Sequence, residues 1–115
     1  MKVSEIAEVL NAQILCSADR AEATDIKSAC GSDMMSDVLA YVKDQGLLLT
    51  GLVNPQVVRT AEMMDIVCVA FVRGKRPDRG VVDLAASKGI ILMSTPERLY
   101  TACGKLYKAG LGAGS

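Results

Sequence analysis

Apolar positions along the chain fall into two kinds of run. Stretches of consecutive aliphatic residues, LLLTGLVNP (47–55), VCVAFVRGKRPD (67–78) and IILMSTPE (90–97), each end in a small residue or a glycine turn, and apolar residues spaced three and four apart follow at once. Consecutive aliphatics predict strands covered on both faces, and the wider spacing predicts helices with one buried stripe. Such units in succession require a parallel sheet whose strand ends share one edge. That edge is where helices begin and where open α/β sheets bind ligands.

The remaining elements follow from the same two periods. Val3 to Leu10 has Ile6, Val9 and Leu10 on one helical face, and a short strand over 13–17 comes next. A polar loop from Ser17 to Thr24 leads to another short strand over 25–29, ending at Gly31. Ser32 is placed to cap a helix whose Met34, Val38 and Val42, with Met35 and Leu39 beside them, face the core. After the strand Leu47 to Thr50, Asn54 and Pro55 supply a cap and a first helical residue, with Val57, Val58, Ala61 and Met64 as the buried stripe. Ile66 to Val72 is predicted as the central strand. Pro77 and Asp78 open a helix carrying Val81, Leu84 and Ala85 that stops at Lys88 and Gly89. Ile90 to Met93 is the last strand, and Ser94, Thr95, Pro96 and Glu97 fit a capping box for a helix with Leu99, Cys103 and Leu106 inward.

The fold class is therefore α/β: a single-domain three-layer sandwich with a mostly parallel sheet of about five strands and helices on both faces. The 115 residues make one domain, read as 1–110 with a disordered tail over 111–115. Half of the residues are apolar but only 3% are aromatic, so the core is aliphatic. Lys plus Arg equals Asp plus Glu at 13 each, which argues against bulk attraction to nucleic acid or to a membrane surface. No signal-like or spanning segment is legible, and a cytoplasmic location is expected.

Cys16, Cys30, Cys68 and Cys103 occur without a CxxC pair, and there is no histidine, so neither metal nor another cofactor is called for. Reduced, structural thiols are expected. Cys30 stands apart, because it precedes Gly31 and Ser32 at a helix start where a thiolate would be stabilised, although a buried spectator is the favoured reading there too.

Candidate binding residues gather at the strand ends. In CGSDMMSD (30–37), Gly31 allows a turn, and Ser32, Asp33 and Ser36 sit at a positive helix end suited to hydrogen-bonding an anion or a partner; plain capping explains the same residues, and Asp33 competes with an anion for those amides. In RGKRPDR (73–79), Arg73, Gly74, Lys75 and Arg76 place cations beside a flexible backbone at the end of a strand, suited to a phosphate or carboxylate, although a solvated turn has the same composition. Thr50, Gly51 and Asn54, with Thr95, offer hydroxyl and amide groups at neighbouring strand ends. No catalytic residue is identified, and aromatics for base stacking are missing beside the basic run.

The order of elements, with VSEIAEVLNAQILCSADR at the start, then ACGSDMMSDVLAYV, LLLTGLVNPQVVRTAEMMDI, VAFVRGKRPDRGVVDLAASKGI and ILMSTPERLYTACGKLY, resembles the DRTGG domain over residues 1–110. Residues 52–56 stand where that pattern has Asp-Arg, and Val72 to Lys75 where it has Thr-Gly-Gly, with Gly74 as the residue carried over. The resemblance implies a small α/β module similar to the N-terminal domain of HPr kinase/phosphorylase. Such modules sit beside CBS domains in regulated pyrophosphatases and inside large phosphotransacetylases, and serve association and regulation. Similar stand-alone proteins accompany iron hydrogenase gene clusters, which implies a redox-enzyme partner. A serine kinase label is not supported, because no nucleotide-cradling loop, Asp–His pair or Mg²⁺ carboxylate set is visible.

Two expectations follow. One is a non-catalytic regulatory domain, homodimeric, that binds a small anion such as an adenine nucleotide at the strand-end crevice. The other is a ligand-free interaction module whose Met34, Met35, Met63 and Met64 supply adaptable contacts.

Overall fold

The structure is a computed structural model that describes residues 1–41 and 46–112. Five strands form one sheet in the order β1-β5-β4-β3-β2: β1 (Gln13–Cys16), β2 (Ala29–Gly31), β3 (Leu47–Thr50), β4 (Cys68–Phe71) and β5 (Ile91–Ser94). β2 to β5 are parallel, and only β1 is antiparallel, against β5. The register aligns Ala29, Leu47, Cys68 and Ile91 across the sheet, so the carboxyl ends of the four parallel strands lie side by side.

Alternation along the strands explains the aliphatic runs. Leu47, Leu49, Cys68, Ala70, Ile91 and Met93 point to one face, where α1 (Val3–Leu10) and α5 (Leu99–Lys108) cover them. Leu48, Val69, Phe71 and Leu92 point to the other, under α2 (Met35–Tyr41), α3 (Pro55–Met63) and α4 (Arg79–Ser87). A strand buried on both faces has no polar side to alternate with, so it reads as continuous hydrophobicity. The three-layer sandwich is as expected.

Several boundaries differ from the sequence reading. β2 begins at Ala29, because the chain at 25–26 is held by the N-terminus instead: the Met1 ammonium donates to Asp25 at 2.9 Å, and the Ile26 amide to the Met1 carbonyl at 2.7 Å. In α2 the inward residues are Met35 and Val38, while Met34 and Leu39 are exposed; Val42 lies outside the described residues. The expected capping box at Ser94 to Glu97 is absent, since α5 starts later, at Leu99. A capping arrangement occurs at α1, where the Lys2 amide donates to Glu5 Oε1 at 2.9 Å. Beyond Gly110, Leu111 is buried and the Gly112 carbonyl accepts from the Ala29 amide at 3.1 Å, so these two residues are tied to the edge of β2. Residues 113–115 lie outside the described residues. Among the described residues, no helix is long and apolar enough to cross a membrane.

Candidate functional site

Neighbouring parallel strands part company at one position. β4 leads to α4 on one face and β5 to α5 on the other, which in an open α/β sheet makes a crevice. Here the chain stitches that position shut. The Arg73 amide donates to the Glu97 carbonyl at 2.7 Å, the Gly74 amide to the Thr95 carbonyl at 2.8 Å, and the Ser94 hydroxyl to the Lys75 carbonyl at 2.8 Å. Arg73 and Gly74 both adopt left-handed backbone, with φ of 59° and 67°, and this turns their amides toward the β5 loop.

The polar cluster lies one strand over, on the rim of β3. Asp33 Oδ1 accepts from the Gly51 amide at 2.6 Å and from the Thr50 hydroxyl at 3.2 Å. Thr50 Oγ1 in turn accepts from the Leu52 amide at 3.1 Å. Above Gly51 lies the Arg73 guanidinium: a Cβ built on Gly51 would overlap Nη2, with Cζ 3.1 Å away and Asp33 Oδ1 3.3 Å away. Loops following β2, β3 and β4 therefore meet over one glycine. Arg73 is exposed and, among the described residues, forms no ion pair. The Gly51 and Leu52 amides beside it already donate to Asp33 Oδ1 and Thr50 Oγ1, so the exposed Arg73 guanidinium is the group at this strand end with the chemistry to receive a carboxylate or phosphate.

The other candidate residues disperse. Gly31 serves packing, since a Cβ there would sit 2.7 Å from Cys103 Sγ and 3.2 Å from Leu99 Cδ1 of α5. Ser32 Oγ accepts from the Met34 amide at 3.0 Å in a local turn. Asn54 caps α3, accepting from the Gln56 amide at 3.1 Å, and its positive helix end follows Gly51 by a few residues. Gly74 is exposed with open space where a Cβ would be. Lys75 has an exposed side chain. Arg76 turns away and donates to Gln13 on β1, beside a depression of about 420 Å³ that is also lined by Leu15 and Pro77. Arg79 pairs with Asp83 on α4 at 3.8 Å. Thr95 is fully buried and its hydroxyl donates to the Leu10 carbonyl at 2.6 Å, which fastens the end of α1 to β5.

Asp33 belongs to the CGSDMMSD run, but its partner on β3 is not legible in the sequence. Its carboxylate does not turn back to the amides of its own helix but spans to the Gly51 amide on β3. An aspartate just beyond a strand-ending glycine is the only signal in the sequence, and capping accounts for that equally well.

All four cysteines are free. Burial, reinforced by the neighbouring Cys103, pushes the Cys30 thiol up to about 11 from 9.0, which fits the buried spectator and not a stabilised thiolate. Burial also raises Cys68 and Cys103. Among the described residues, no cluster of Cys, Asp or Glu is arranged to hold a metal ion.

A family model described as the DRTGG domain matches residues 5–109. No curated protein matches the chain. Among solved structures, the chain is similar to the CBS and DRTGG domains of the regulatory region of Clostridium perfringens pyrophosphatase, a structure complexed with the activator diadenosine tetraphosphate. The TM-score is 0.74 at 14% identity over 98% of this chain, which establishes a shared fold. The chain spans 48% of the length of that relative.

Proposed function

The chain belongs to the DRTGG domain family, and on that premise we propose that it is a non-catalytic regulatory domain that self-associates and binds a small anionic ligand, an adenine nucleotide in the first instance, at the rim of β3. One observation carries the reading. A non-glycine residue in left-handed backbone is held at a cost of about 1–2 kcal/mol, and here that conformation goes with an Arg73 guanidinium that lies over Gly51 and has no ion pair among the described residues. An anion at that point would receive Arg73 directly, with Lys75 and the amino end of α3 nearby in the chain. The nucleotide activator of the pyrophosphatase regulatory region supports the choice of ligand class.

Thermal denaturation with AMP, ADP, ATP or diadenosine tetraphosphate at millimolar concentration tests the binding. A saturable rise in Tm is expected for the wild type, reduced by Arg73→Ala and unchanged by Arg79→Ala. No rise with any of these, or an equal rise in Arg73→Ala, would overturn it.

Self-association draws support from apolar side chains left on the surface, among them Met34, Met63, Tyr100 and Tyr107. A ligand-free interaction module, or an accessory subunit of a redox enzyme, would use such a surface too. Those readings predict self- or partner association with no response to nucleotide.

A further inference from the structure

On the face of the sheet covered by α1 and α5, an acidic and a basic helix lie side by side. The inward residues of α1 are Val3, Ile6 and Leu10, which leaves Glu5 and Glu8 exposed on its outer side. Those of α5 are Ala102 and Leu106, which leaves Lys105 and Lys108 exposed; Lys105 also pairs with Glu97 ahead of the helix at 2.5 Å, so Lys108 is the cation of the two with no ion pair among the described residues. The two helices run antiparallel. The carboxyl end of α1 is fastened by the Leu10 carbonyl to Thr95, just before α5 begins, while Glu5 near its amino end shares a depression with Ala109 and Gly110, just after α5 ends.

Two further features of α5 face outward. Tyr100 and Tyr107 are 90% and 74% exposed, although tyrosine is a residue that proteins concentrate at contact surfaces. Between them, on the same stripe, Gly104 interrupts the helix with nothing within 4 Å of where a Cβ would be. A glycine inside a helix weakens it, and no packing among the described residues demands one at position 104. It leaves a shallow notch between two aromatic rings, which suits the close approach of another backbone.

We infer that this face is the self-association surface, and that its occupant is a second copy of the chain related by a two-fold axis parallel to the helices. This rests on the self-association proposed above and adds the place and the geometry. Rotation about that axis preserves the direction of each helix and sets α1 of one copy against α5 of the other, twice, so each acidic helix meets a basic one. An axis perpendicular to the helices would set α5 against α5 and bring the lysines together. Charge complementarity therefore selects the first arrangement, with Gly104 at the contact and the tyrosines flanking it.

Charge reversal with rescue tests this by sedimentation equilibrium and native mass spectrometry of the full chain. The wild type should dimerise, more weakly at high salt. Glu5→Lys with Glu8→Lys makes both helices basic, and Lys105→Glu with Lys108→Glu makes both acidic. Each double variant should weaken self-association by about tenfold or more, and an equal mixture should form mixed dimers, because both contacts in the mixture pair unlike charges. Gly104→Leu should weaken the dimer while raising the Tm of the monomer, two effects that misfolding cannot produce together. A wild-type dimer that none of these variants disturbs, with no preference for mixed dimers, overturns this surface and leaves self-association standing. A wild type that stays monomeric at all concentrations overturns self-association itself.

Discussion

The Arg73 guanidinium lies where a side chain on Gly51 would have to go, with Cζ 3.1 Å from the position of a Cβ. Neither residue is explained alone. The left-handed backbone at Arg73 directs its side chain back over β3, and the missing side chain at position 51 leaves room for it. In this turn residues 73 and 74 both have positive φ, the conformation that glycine adopts most readily. This chain has arginine at the first of the two.

Substituting Gly51→Ala is expected to displace the Arg73 side chain and not the fold. The obstructing atoms are the far end of a flexible chain, so the loss of stability should stay near about 1 kcal/mol. In an Arg73→Ala background the same substitution should be better tolerated, giving a measurable coupling in a double-mutant cycle by urea denaturation. Additive effects would show that the two residues do not share the space.

Asp33 holds the end of β3 by accepting from the Gly51 amide and the Thr50 hydroxyl. Asp33→Ala should cost about 1–3 kcal/mol, because a part-buried donor loses its acceptor. Asp33→Asn should cost less, since its side-chain carbonyl can still accept. Equal losses in the two variants, measured by chemical denaturation, would count against the contact.

Thr95 is expected to act in stability and not in binding. Its hydroxyl donates to the Leu10 carbonyl and accepts from the Glu97 amide at 3.2 Å. Thr95→Val keeps the shape and removes both bonds, at a cost of about 1–3 kcal/mol. Any nucleotide response of the wild type should survive in this variant, as read by the ligand-induced change in Tm.

The Cys30 thiol provides a pH signature. Burial raises its folded-state value to about 11 from 9.0, so the unfolded chain loses its proton first as the pH rises. The stability contribution is present in full below about pH 9 and is lost on approaching about pH 11. Denaturation midpoints across that window should fall more steeply for the wild type than for Cys30→Ala. Alkylation near neutrality should be slow at Cys30, and slowest at the fully buried Cys68.

Much of the architecture was written in the order of residues. LLLT, CVAF and ILMS each form a strand buried on both faces, and the Asn54–Pro55 and Asp78 signals start their helices where expected. Such features are local, so a chain fragment already carries them. β2 was misplaced because Asp25 and Ile26 are claimed by Met1, a partner 24 and 25 residues away. The inward face of α2 was drawn too wide, since a methionine pair gives no indication of which member turns to the core.

The basic run shows where local reading stops. Arg73, Arg76 and Arg79 look like one cluster in the sequence, but the chain sends the first to Gly51, the second to Gln13 and the third to Asp83. The aliphatic period alone set the layers and the shared edge of strand ends, because burial of apolar surface depends on spacing and not on the identity of distant neighbours. Which polar groups meet on that edge was decided by the order in which strands pair and by two left-handed residues after β4. A hydrogen bond needs both partners within about 3 Å, and only the folded chain brings Asp33, Gly51 and Arg73 so close together.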